Sequence, residues 1–182
     1  YAALEARCAR AAGVLRALGL APGERVALLL GNRSAMLEAV LAAARLGAIA
    51  VPLNTRLAAP EIAELLTDCR PAVLLHEAAL GALADVACAG SRHAPAARLA
   101  VGGLPDAWEA ALAGATPASA VAAVSPEQPM ILMYTSGTTG KPKGAVRSTL
   151  GNPAQSALLW AEIGYVRDDV YITTGPLYHS GP

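Results

Sequence analysis

The sequence predicts an α/β fold: a parallel sheet in layers with flanking helices. Three observations carry this. Residues 26–30, 48–53 and 72–75 are short, uninterrupted apolar runs, as expected of strands covered on both faces. Segments with apolar residues at helical spacing alternate with them. The connections are short and rich in Gly, Pro or Asn. Strands and helices alternating in this way give right-handed crossovers and parallel neighbours.

The elements follow in order. Across residues 3–18, Leu4, Cys8, Ala11, Leu15 and Leu18 recur at helical spacing, with Arg7, Arg10 and Arg16 on the other side. Gly19 stops this helix and Pro22-Gly23 turns the chain into strand 26–30, which Gly31-Asn32 ends. Ser34 is placed to cap the next helix, with Glu38 in its first turn, and Gly47 stops it after Leu46. A second strand covers 48–53. Pro60-Glu61 suits the first turn of a helix over 60–68, which Arg70-Pro71 breaks. A third strand covers 72–75 and a helix 78–88. From 89 to 129 Ala, Pro, Gly and Ser dominate, with a short strand at 98–101, a short helix at 107–113 and a surface linker over 116–129. An apolar strand at 130–134 leads into a polar Gly/Thr loop. A short strand near 144–147, a helix over about 153–163 and a last strand near 169–173 complete the pattern. The expected organisation is a first α/β subdomain over 1–88, an irregular connection over 89–129, and a second, truncated subdomain beginning at 130–182.

Composition narrows the function. Hydrophobic residues make up 54%, but 43 of the 182 residues are Ala and none is Phe, so the core must rest on Leu, Val and closely packed Ala-faced helices. Fourteen basic residues balance fourteen acidic ones, which argues against nucleic-acid binding by bulk charge and against a polybasic membrane surface. The apolar stretch 35–54 holds Glu38, Arg45 and Pro52 and does not read as a membrane span; no signal peptide is visible. Cys8, Cys69 and Cys88 are odd in number and show no C-x-x-C spacing, so neither a disulfide framework nor a metal site is expected, and a reducing, cytoplasmic setting fits. The chain opens at Tyr1 within a helix and closes at Pro182 in a loop, so both ends are expected to be cut.

One segment concentrates the chemistry. Residues 134–144 read Tyr-Thr-Ser-Gly-Thr-Thr-Gly-Lys-Pro-Lys-Gly, directly after an apolar strand. Glycines allow turns with positive φ and close approach of N–H groups to a ligand. Successive N–H groups form anion-binding concavities, and hydroxyls and lysines add donors and charge. This set suits a polyphosphate. Twelve of the fourteen cations are Arg, and the only lysines, Lys141 and Lys143, stand here; a flexible point charge suits a phosphate that leaves. The spacing fits neither a Walker A loop nor a dinucleotide fingerprint nor a nucleophile elbow.

Thr-Ser-Gly-Thr-Thr-Gly-Lys-Pro-Lys-Gly over 135–144 resembles the signature loop of the AMP-forming, adenylate-forming superfamily of acyl- and aryl-CoA synthetases, luciferases and nonribosomal adenylation domains. Residues 22–27 and 47–54 resemble that family's opening subdomain, and 176–181 its next motif. The resemblance implies part of the large N-terminal domain of such an enzyme and a two-step reaction. A carboxylic acid substrate attacks the α-phosphate of ATP to give acyl-AMP and pyrophosphate, and the thiol of coenzyme A then displaces AMP; Mg²⁺ travels with ATP. By position, Thr135, Ser136, Thr138 and Thr139 are implied phosphate donors, Gly137, Gly140 and Gly144 permit turns, and Lys143 is the family's lysine. His179 matches a position at the carboxylate pocket, with Tyr178 beside it. His76 and His93 have no such match and read as structural or solvated. Ser148-Thr149 stand where many relatives carry Thr-His. The family's Mg²⁺ ligand, ribose-binding Asp, hinge Arg and catalytic C-terminal lysine belong to later segments whose motifs this sequence does not contain, so the chain alone is expected not to adenylate. The alternatives are part of a nonribosomal adenylation domain, or a module that binds nucleotide phosphates without turnover.

Overall fold

The computed structural model describes residues 1–118, 120–125, 127–135, 142–148, 153–166, 168–170 and 172–179. Its elements run α1 (Ala2–Ala17), β1 (Arg25–Leu29), α2 (Ser34–Arg45), β2 (Ile49–Pro52), α3 (Ala59–Cys69), β3 (Val73–Glu77), a 3₁₀ turn (Ala78–Leu80), α4 (Gly81–Gly90), β4 (Ala97–Val101), α5 (Ala107–Gly114), β5 (Ile131–Thr135), β6 (Lys143–Arg147) and α6 (Pro153–Ile163). Among the described residues the strands form one sheet in the order β4-β3-β1-β2-β5-β6. β1 pairs in parallel with β2 and β3, β3 with β4, and β2 with β5; only β6 is antiparallel, to β5. The strands after residue 130 therefore extend the sheet begun by the first hundred residues.

The uninterrupted apolar runs are explained by burial on two sides. Val26 and Leu28 of β1 join a core with α1, α2 and α5, whereas Ala27 and Leu29 join a second core with α3 and α4. Each fully buried Leu or Val contributes roughly 1.5–3 kcal/mol relative to leaving it exposed. The alanine excess serves the first core: Ala11 and Ala12 of α1 and Ala39, Ala42 and Ala43 of α2 are all buried, and such small side chains let two helices approach closely. Trp108 supplies the bulk in this Phe-free chain and is 1% exposed. Residues 115–118 and Ala122 lie against this layer. Ala118 N–H donates to Ala9 O at 2.8 Å, Arg45 Nε donates to Ala118 O at 2.7 Å, and a Cβ at Gly13 would stand 2.1 Å from Thr116 O, so only glycine fits there.

Three expectations change. Ser34 does not cap α2: it is the first helical residue, Arg33 holds the extended cap position, and no side-chain cap bond forms. Glu38 does not meet the helix dipole in the first turn, because it lies one turn further on and is fully buried. Its carboxylate accepts from Arg7 Nε at 2.7 Å, Arg7 Nη2 at 3.2 Å and Trp108 Nε1 at 3.0 Å, tying α1, α2 and α5 together. Burial alone raises its pKa, but these donors and the charge of Arg7 outweigh burial and hold it below the usual carboxylate range. Finally, the described residues 169, 170, 172 and 173 form no strand; Val170 and Ile172 are exposed. Among the described residues no helix is long and apolar enough to cross a membrane.

Candidate functional site

β1, β2, β3 and β5 run in parallel, so their carboxyl ends reach one edge of the sheet, where open α/β sheets place their ligands. β5 ends there at Thr135 and β6 returns from Lys143. The two strands pair over five residues, with Thr135 opposite Lys143 and Tyr134 opposite Gly144. Lys143 is exposed, and Thr135 Oγ1 lies 3.4 Å from Lys143 O. The hairpin thus sets the hydroxyl and the lysine at the mouth of the Gly/Thr loop. Ser136, Gly137, Thr138, Thr139 and Gly140, with Lys141, lie outside the described residues. Gly144 is placed within β6 and not in a turn. Its small size has another use: a Cβ there would stand 2.8 Å from Leu132 Cδ1 and push that side chain away.

The root of β5 is slender. It meets β2 at a single register pair, Ala50 with Ile131, where Ala50 N–H donates to Met130 O at 2.9 Å. Residues of the same parity along a strand turn their N–H groups to the same neighbour, and the next such position in β2 is Pro52, which has none. Further along β5, Tyr134 Oη donates to Asp68 Oδ2 of α3 at 2.5 Å. Burial, then the bond to Asp68, pushes the Tyr134 phenol above its ordinary pKa. An open groove of about 1120 Å³ lies here, lined in part by Thr67, Asp68, Arg92, Tyr134 and Pro142.

The second group gathers beyond β1. Asn32 Nδ2 donates to Gly175 O and Leu177 N–H donates to Asn32 Oδ1, both at 2.8 Å, so one amide holds the segment before His179 through a donor and an acceptor. His179 N–H closes a turn onto Pro176 O at 3.0 Å; the residue is exposed, while Leu177 and Tyr178 are half-buried against the core of α1 and α2. Beside Asn32, Gly31 N–H donates to Glu77 Oε1 at 3.0 Å, and Arg33 Nη1 pairs with Glu77 Oε2. Both candidate groups therefore stand at the carboxyl edge, and no hydrogen bond or ion pair among the described residues joins Lys143 to His179. The sequence marks Asn32 only as a strand terminator; a polar residue directly after a buried strand is its one signal. His76 lies within β3, where its Nδ1 stands 2.9 Å from Glu77 O, and His93 sits in a loop with Ser91. Cys8, Cys69 and Cys88 are free thiols, and no group of three or more His, Cys, Asp or Glu among the described residues is arranged to hold a metal.

The family described as AMP-binding enzyme matches residues 1–181. Indoleacetate–CoA ligase of Aromatoleum aromaticum is 39% identical over 193 residues, covering 100% of this chain and 36% of that ligase. The solved N-terminal domain of FACL13 from Mycobacterium tuberculosis is 37% identical with a TM-score of 0.72, over 81% of this chain and 36% of that one. Apo MatB from Rhodopseudomonas palustris superposes with a TM-score of 0.81 at 32% identity, over 98% of this chain and 35% of that one. The chain thus spans about a third of the length of the relatives it matches. The family match, running from the first residue through the segment of His179, and the shared sheet agree: the chain belongs to the AMP-binding enzyme family.

Proposed function

We propose that the chain is the phosphate-gripping part of an AMP-forming acid–CoA ligase, which activates a carboxylic acid with ATP and passes the acyl group to the thiol of coenzyme A. The observation that carries this is the β5–β6 hairpin, which sets Thr135 against Lys143 at the carboxyl edge with the Gly/Thr loop between them. In this reading residues 1–88 form the opening subdomain, 89–129 its connection and 130–182 the gripping segment. Ser136, Thr138 and Thr139, with the loop N–H groups, donate to the β- and γ-phosphates, while Gly137 and Gly140 give the backbone its turns. Lys143 stabilises charge that builds on the departing pyrophosphate; such preorganised donors act where charge develops. His179, on its turn held by Asn32, donates to the substrate carboxylate. Mg²⁺ supplies further charge neutralisation when it arrives with ATP, and the described residues offer it no cage of their own. The nucleoside and acyl contacts fall to the remainder of a full-length relative, so this chain binds polyphosphate without completing adenylation. The name of the indoleacetate ligase and its 39% identity support the CoA-ligase class.

Displacement of a fluorescent ATP analogue tests this. A grip on the β- and γ-phosphates makes pyrophosphate an effective competitor and AMP a poor one. AMP displacing the analogue as well as pyrophosphate does contradicts it, as does ATP–pyrophosphate exchange by the purified chain.

A further inference from the structure

The structure assigns Asp68 a task the phosphate grip alone does not name: we propose that Asp68, acting through the hydroxyl of Tyr134, is a positioning residue that latches the base of the phosphate loop to α3. The inference rests on the reading of residues 135–144 as that loop.

The hairpin needs such a latch. Among the described residues its inner strand has a single register pair with β2, at Ala50, and Pro52 lacks the N–H that would continue the ladder toward Thr135. Its outer strand β6 is, among the described residues, the edge of the sheet and is exposed throughout, so it pairs with no strand but β5. Leu132 and Tyr134 pack on the core beneath α3, which directs the phenol toward the end of that helix. There Tyr134 Oη meets Asp68 Oδ2 at 2.5 Å, one residue before Thr135 and opposite Gly144, the neighbour of Lys143. A hydrogen bond to an ionised carboxylate is among the stronger ones available to a side chain. Releasing it leaves the loop-bearing end of β5 tied by packing and by the weaker contact of the phenol with the Cys69 thiol, so Thr135 and Lys143 lose their fixed relation to the sheet.

The sequence offers a direct probe. The only lysines are Lys141 and Lys143, and Pro142 makes the bond after Lys141 resistant, so a lysine-specific endoproteinase reports on the single bond between Lys143 and Gly144. Cleavage within a paired strand requires the hairpin to open. Tyr134→Phe and Asp68→Ala should each raise the native-state cleavage rate, and weaken pyrophosphate binding, by about fivefold, from the loss of one charge-assisted hydrogen bond at a partly exposed site. The double variant should be no worse than either single one. Asp68→Asn, whose amide oxygen still accepts from the phenol, should stay within about twofold of the parent on both readouts. Global thermal midpoints should move by less than about 3 °C. Unchanged cleavage in both single variants, a double variant that opens further, or faster cleavage with unchanged pyrophosphate affinity overturns the proposal. If the parent chain does not bind pyrophosphate at all, the phosphate-loop reading fails, and the cleavage rates still decide whether Asp68 latches the hairpin.

Discussion

Replacing Glu38 with Gln tests how the first core is held. The carboxylate is fully buried and accepts two hydrogen bonds from Arg7 and one from Trp108, with Ser34 as a further hydrogen-bond partner. Glutamine keeps one acceptor oxygen and turns the other position into a donor, which then faces either the guanidinium or the indole N–H. Removing one partner of a buried pair costs about 3–5 kcal/mol. Arg7 is not stranded here, since its side chain is 37% exposed and it also pairs with Glu109 at 2.6 Å. The discounted expectation is about 2–3 kcal/mol, equal to a fall in melting temperature of roughly 5–10 °C for a chain of this size. The pH dependence has a definite sign. The carboxyl is held below its ordinary value of 4.5, so its contribution is fully present above that value and is lost as pH falls through the depressed folded pKa. Urea unfolding followed by Trp fluorescence, from pH 7 down to pH 4, measures the gap between the two proteins. A gap of about 2–3 kcal/mol at pH 7 that narrows on acidification below 4.5 is expected. Equal stability at pH 7, or a gap that widens in acid, refutes the reasoning.

Other predictions follow from single contacts. Asn32→Ala removes both 2.8 Å bonds to the segment before His179, so amide exchange at Leu177 and His179 should speed up by about tenfold, while exchange in β1 stays unchanged. Burial pushes the Cys69 thiol up to about 12, so alkylation at pH 8 should modify the half-buried Cys88 first and Cys69 last, as peptide mapping by mass spectrometry would show.

Much of the fold was legible because hydrophobic periodicity is local. The unbroken runs of β1, β2 and β3 report burial directly, and Pro60-Glu61 marks the start of α3, where Glu61 accepts from Ala58 N–H at 2.8 Å. The stripe of α1 is only half right, since Ala11 to Leu15 are all buried and Arg7, expected on the outer side, turns to Glu38. What stayed hidden depends on partners far along the chain. Glu38 looked like a first-turn charge because its partners, Arg7 and Trp108, lie 31 and 70 residues away. Asn32 looked like a strand terminator because the backbone it holds comes 143 residues later. The strand expected near 169–173 rested on an apolar run, but Val170 and Ile172 have no strand beside them among the described residues. The candidate site divides in the same way. Composition singled out the loop and Lys143, whereas the role of Gly144 as a strand residue making room for Leu132 and the bond from Tyr134 to Asp68 needed the packed hairpin.

Calorimetric titration of pyrophosphate into this chain and into its Lys143→Ala variant tests the central claim most directly. A charge-assisted contact predicts at least about a tenfold loss of affinity in the variant, with the melting temperature unchanged because Lys143 is exposed. Equal affinity of the two proteins, or no binding by either, contradicts the phosphate-gripping account.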